Sequence, residues 1–245
     1  MMKKTALFFI VVSLFFSFIS MASAYETIPF RNGGSIEGVV EYAGATVPKD
    51  PMLTLSSETE YCGQKMPAKK YLIKERKVKN AVVYLVGIKA GKAIPGETVT
   101  VTNVKCEFVP HVAVGFKGGK IIMKTDDPVF HTLDVHVSIS GKELYHVALP
   151  EKGSSATKTI SGKGLLELSC YVHPWQRAYV SVFDHPYAVV TDEKGKFAIK
   201  DIPPGIYTVE AWHEALGAKS IAGVNVESGK TSTIKVEYAE EKKSE

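Results

Sequence analysis

The chain has 245 residues, a net charge of +4 at neutral pH, 45% hydrophobic residues and three cysteines. So small a charge, with no dense basic run carrying interleaved aromatics, excludes nucleic acid as a partner. No C-x-x-C-H occurs, which excludes covalent haem.

Lys3 and Lys4 precede an apolar run from Ala6 to about Met21, followed by Ala22-Ser23-Ala24. A basic start, an apolar centre and an A-x-A site define residues 1–24 as a signal peptide, cut after Ala24. The run is also near the length of a membrane anchor, which is the alternative. No cysteine sits at the cleavage site, so a lipid anchor is not expected. Cleavage leaves 221 residues with net charge +2, because Lys3 and Lys4 leave with the leader. No later stretch is apolar enough to span a bilayer, so the mature protein is expected to be soluble, in the periplasm or secreted.

Nearly everything after Tyr25 alternates with period two. The first strands expected are 35–42, 80–86, 97–104, 112–116 and 120–124. They are followed by 132–139, 144–149, 155–160, 165–172 and 177–183. The last group is 188–191, 197–200, 207–211, 220–226 and 231–238. Turns are marked by Gly33-Gly34, Gly118-Gly119, Gly162–Gly164, Asp192–Gly195 and Pro203-Pro204-Gly205. Residues 48–70 are polar and contain proline, and read as a long loop pinned by Cys62. The tail, 239–245, mixes both signs of charge and is expected to be a solvated end. So many short strands imply an all-β protein of two sandwiches.

The stretch with the most chemistry is Leu165–Phe183, LLELSCYVHPWQRAYVSVF. Leu166, Leu168, Cys170 and Val172 share one parity, and so do Gln176, Ala178, Val180 and Val182. Cys170 and Gln176 then both point inward, on either side of a turn carrying His173. A thiolate, an imidazole and an amide oxygen are three parts of a mononuclear copper site. The other cysteines, Cys62 and Cys106, lie outside this hairpin and are expected to form a disulfide. Cys170 is then a free thiol, a liability in an oxidising compartment unless buried or metal-bound. Upstream, Leu133, Val135 and Val137 share parity with His131, which makes His131 the inward histidine. His136 falls on the opposite face with Thr132 and Asp134; His136 and His146 read as surface residues.

Two resemblances divide the chain. Residues 91–184 resemble a cupredoxin, the plastocyanin and azurin family, on Asp126-Asp127-Pro128 leading to His131 and then Cys170-x-x-His173. His185–Gly217, HPYAVVTDEKGKFAIKDIPPGIYTVEAWHEALG, resembles the prealbumin-like regulatory domain of carboxypeptidases and the middle domain of rhamnogalacturonan lyases. That fold begins with strands like GSIEGVVEY and NAVVYLVG, which here precede the cupredoxin segment. The implied architecture is a cupredoxin-like Greek-key sandwich inserted into, or adjoining, a second, prealbumin-like sandwich built from 25–90 and 185–238. Gly91–Pro95 and Asp184–Pro186 are the expected crossing points.

Carried over by position, the copper ligands implied are His131, Cys170 and His173, with the amide of Thr132 as a donor to the sulfur. The family's axial methionine is missing, since no Met follows Met123. Gln176 takes its place, with His111 as the rival fourth ligand. Trp175 is expected at an electron-exit or docking surface; its structural alternative is a rim aromatic. His185 and His213 read as structural, although His213, beside Trp212, is also a candidate to approach the copper end. No histidine-cysteine-histidine run exists for a trinuclear cluster. Cys170 lacks a helix terminus to activate it as a nucleophile, and Asp126-Asp127 read as turn residues.

These readings converge on an exported, non-enzymatic one-electron carrier, with a redox protein such as a c-type cytochrome as partner. The alternatives are a carbohydrate- or protein-binding β module without copper, and a copper carrier. Carbohydrate is a candidate ligand of the second sandwich.

Overall fold

The computed structural model describes residues 24–239. Apart from Ala24 and Ala239, the expected leader and charged tail lie outside the described residues. Every segment of period-two alternation is a strand, most with ends shifted by one to three residues. Seven further short strands lie where no alternation can register, because none exceeds three residues: 26–27, 52–54, 65–67, 73–74, 77–78, 90–91 and 107–109. The strand starting at His131 stops at Val137 rather than at Ile139. The amides of Ser140 and Gly141 both donate to the Val137 carbonyl there, closing a turn that leaves Ile139 exposed.

The fold is all-β, with two sandwiches and two cores. The first core contains Ile36, Val40, Val83, Leu85, Tyr187, Ile199, Val209, Val226 and Val236. One of its sheets centres on Gly34–Tyr42, antiparallel to Lys196–Ile202 and parallel to Thr231–Tyr238. The facing sheet has the order 188–190, 82–86, 205–213, 217–226. The second core lies between residues 99 and 182 and contains Val101, Ile121, Met123, Leu133, Val135, Leu168, Cys170 and Val180. Its sheets have the orders 107–109, 98–104, 120–125, 155–159 and 112–116, 177–183, 164–169, 131–137, 142–149. Each buried Val, Leu or Ile in these faces contributes roughly 1.5–3 kcal/mol.

The sandwiches meet through aromatic and charged pairs. Tyr84 packs on Phe183 and Tyr179 on Trp212, with ring centroids 4.7 and 5.5 Å apart. Gly91 has no room for a side chain, because a Cβ there would lie 2.1 Å from the Tyr187 hydroxyl.

Residues 48–70 are more than a loop. They form the hairpin Met52–Thr54/Lys65–Pro67 and the four-residue helix Thr59–Cys62. The segment is fastened over one end of the second sandwich by the Cys62–Cys106 disulfide. The Ser57 hydroxyl donates to the Val172 carbonyl (2.9 Å), and the Tyr61 hydroxyl to Asp127 (2.9 Å).

Candidate metal centre

Under this cap, three side chains from two sequence-distant segments converge. His131 opens its strand, so its backbone is fixed by pairing to Leu149 while its ring turns into the core end. Cys170 follows the strand Gly164–Ser169 and keeps that strand's inward parity. His173 sits in a turn closed by the Gln176 amide donating to the His173 carbonyl (2.9 Å). All three side chains are at most 3% exposed.

The two Nδ1 atoms of His131 and His173 are 2.9 Å apart, and Cys170 Sγ lies 4.0 Å from the first and 3.6 Å from the second. The circle through these three atoms has a radius of about 2.1 Å, close to the bond lengths that nitrogen and sulfur make to a first-row ion. His131 Nε2 donates to Asp127 Oδ2 at 3.0 Å, so its Nδ1 carries the lone pair that faces His173 and Cys170. Burial pushes the His131 pKa below the ordinary value of 6.5, with the Asp127 carboxylate opposing. The His173 value falls to about 4, through burial and then the neighbouring His131. Both rings are therefore neutral at neutral pH, the state that binds a metal.

The sulfur has a donor as well. The Thr132 amide points at Cys170 Sγ from 3.4 Å. The Thr132 hydroxyl donates to Asp134 Oδ2 (2.9 Å) and accepts from the Tyr171 amide (2.8 Å), which holds the two segments in register. Such contacts orient ligands and set thiolate basicity.

Gln176 is 2% exposed, and both atoms of its amide lack hydrogen-bond partners among the described residues, as does His173 Nε2. An unpaired buried amide costs about 1–3 kcal/mol, and a Lewis acid accepting its oxygen would offset that. His111 is engaged elsewhere: its Nε2 pairs with Glu214 across the junction of the sandwiches. Trp175 is half-buried, with its ring 5.0 Å from that of His173 and its Nε1 donating to the Cys106 carbonyl at 3.2 Å. His213 is buried against Tyr238 in the first core, and His185 accepts from the Tyr187 amide through Nδ1. Cys106, Asp127 and His131 also place donor atoms together, but the Cys106 sulfur is committed to its disulfide.

Sequence reasoning missed Asp127. It is not merely a turn residue: it is 1% exposed and its carboxylate accepts from four donors. These are the Lys105 amide (2.6 Å), the Cys106 amide (2.8 Å), the Tyr61 hydroxyl and the His131 ring. The available signal was its place four residues before an inward histidine, ahead of a proline.

The arrangement is a buried cluster of two imidazoles and a thiol in a β-sandwich, a donor set that could hold a transition-metal ion. The carboxypeptidase regulatory-like domain family matches residues 173–239. No curated protein matches the chain. Among solved structures, the chain is similar to a purple cupredoxin from Nitrosopumilus maritimus: 18% identity, 35% of this chain and 99% of that one, TM-score 0.31. It is also similar to amicyanin from Paracoccus versutus (17%, 37% and 85%, 0.31). A third similarity is to the copper-containing nitrite reductase from Thermus scotoductus SA-01 (23%, 40% and 24%, 0.30). Within the regulatory-like family match, strands 188–190, 196–202, 205–213, 217–226 and 231–238 belong to the first sandwich, where the sequence motif places them. No helix among the described residues is long and apolar enough to cross a membrane.

Proposed function

We propose that this protein is an exported, non-enzymatic one-electron carrier with a single copper held by His131, Cys170, His173 and Gln176. The observation that carries the reading is the convergence of two neutral imidazole nitrogens and one free sulfur on a common circle of about 2.1 Å radius. Copper bound there would supply a one-electron couple, since a set of two imidazoles and a thiolate suits both of its oxidation states. The protein's part is to hold the donors still. Asp127 fixes the His131 tautomer, the Thr132 amide stabilises charge on Cys170, and burial keeps water from His173. Gln176 would offer a harder donor than a thioether, which would favour a lower potential.

His173 is only 1% exposed, so its ring edge is not the outlet. Trp175, packed on that ring and reaching the surface, is the proposed exit toward a redox protein such as a c-type cytochrome, with the prealbumin-like sandwich as docking module. A copper carrier is disfavoured by the same burial, because a cargo ion needs a way out. Copper(II) added to the purified protein should produce an intense visible thiolate-to-copper band that Cys170→Ser abolishes. A colourless parent protein would refute the reading and favour a binding module without copper.

A further inference from the structure

On the outer face of the same sheet a second donor cluster stands apart from the buried site. Asp134, Glu143 and His146 each place one donor atom within 4.8 Å of the others. Asp134 and His146 are direct cross-strand partners, and His146 Nδ1 is hydrogen-bonded to Asp134 Oδ1. Glu143 reaches this face through an irregularity. The register shifts between Val135 and His136, so that His136 pairs with Glu143 and Leu144 is skipped. Regular alternation would put Leu144 beside His146 and turn Glu143 inward; the bulge exchanges them. Leu144 packs against the core instead.

The electrostatics ask for a cation. Two carboxylates share the cluster, and neither has a lysine or arginine partner among the described residues. Asp134 is only 8% exposed at its side chain, whereas His146 is 54% exposed, so the cluster meets solvent on the histidine side. One imidazole and two carboxylates form a mixed nitrogen–oxygen set that suits zinc-class ions, with water completing the shell. Calcium and magnesium prefer oxygen alone.

The cluster is wired to the buried sulfur. Asp134 Oδ2 accepts from the Thr132 hydroxyl (2.9 Å), that hydroxyl accepts from the Tyr171 amide (2.8 Å), and the Thr132 amide points at Cys170 Sγ (3.4 Å). We propose that Asp134, Glu143 and His146 bind a zinc-class divalent ion, and that this ion acts on the Cys170 sulfur through Thr132. The binding half stands alone; its effect on a copper potential rests on the proposed function. A cation there withdraws charge from Asp134 and thus from the thiolate environment, which favours copper(I) and raises the potential.

The test is a zinc titration of the copper-free protein followed by NMR. The ring signals of His146 and the amide signal of Thr132 should move together, and Glu143→Gln should weaken both responses about tenfold or more. His146 signals that zinc does not move, or that titrate identically in Glu143→Gln, would overturn the site. A Thr132 amide indifferent to the Glu143→Gln change would overturn the coupling. Absence of a copper band would defeat the proposed function alone, because the zinc titrations use copper-free protein and decide this site by themselves.

Discussion

Asp127→Asn is the sharpest test of how the centre is held. The native carboxylate presents Oδ1 to the Lys105 amide and the Tyr61 hydroxyl, and Oδ2 to the Cys106 amide and His131 Nε2. A carboxamide has the same shape but only one oxygen. Whichever way it sits, its NH2 faces a backbone N–H, from Lys105 or Cys106, which loses its acceptor outright. Tyr61 can turn to accept instead, and His131 can do so only by moving its proton to Nδ1, the atom aimed at the metal. One charge-assisted bond lost and the others reduced to neutral strength amount to about 2–4 kcal/mol. Against a typical domain stability of about 5–15 kcal/mol, that shift is easy to measure by urea unfolding of the copper-free protein. Metal affinity should fall about 10- to 100-fold, the usual effect of removing a partner that orients a ligand. Asp126→Asn is the internal control. Its side chain is 51% exposed and faces only Lys124 at 3.7 Å, so it should change stability by less than about 1 kcal/mol. Equal midpoints for the Asp127 and Asp126 variants would refute the claim that Asp127 organises the site.

The axial position and the buried rings give further predictions. Gln176→Met should raise the reduction potential of the copper-loaded protein, read by redox titration, because a thioether favours copper(I); an unchanged potential would remove the amide from the ligand set. Gln176→Leu should stabilise the copper-free protein by about 1–2 kcal/mol in urea, since it deletes two unpartnered buried polar atoms. For pH, His173 is depressed from 6.5 to about 4 and His131 is also lowered. Below pH 6.5 the unfolded chain takes up protons that the native rings refuse, so stability is full above 6.5 and declines as pH falls toward 4. For His173 alone the loss is on the order of 3 kcal/mol. Urea midpoints of the copper-free protein at pH 7.5 and 4.5 measure it, and His173→Gln should flatten the dependence. A parent and variant with the same slope would contradict the assignment.

The local half of this architecture is legible in the chain. Strand alternation turns Leu166, Leu168 and Cys170 inward on one strand and Gln176, Ala178 and Val180 inward on the next. It also turns His131 inward, because side-chain direction in a strand depends only on parity. The Cys62–Cys106 disulfide is readable too, as the pair left once Cys170 has another use. What parity cannot carry is which distant groups meet. The four donors to Asp127 come from residues 61, 105, 106 and 131, so nothing near it in sequence marks it as more than a turn. Residues 48–70 read as a polar loop because the purpose of the cap lies in Val172 and Asp127, far along the chain. His111 looks like a fourth ligand until the first sandwich brings up Glu214. The bulge that turns Glu143 outward reverses the very parity on which sequence reading depends. Each inward donor at a strand end, whether His131, Cys170 or Gln176, was therefore determined locally, by alternation. Its protonation, orientation and shielding were decided only by tertiary contacts, because electrostatics and burial act between neighbours in space rather than in sequence.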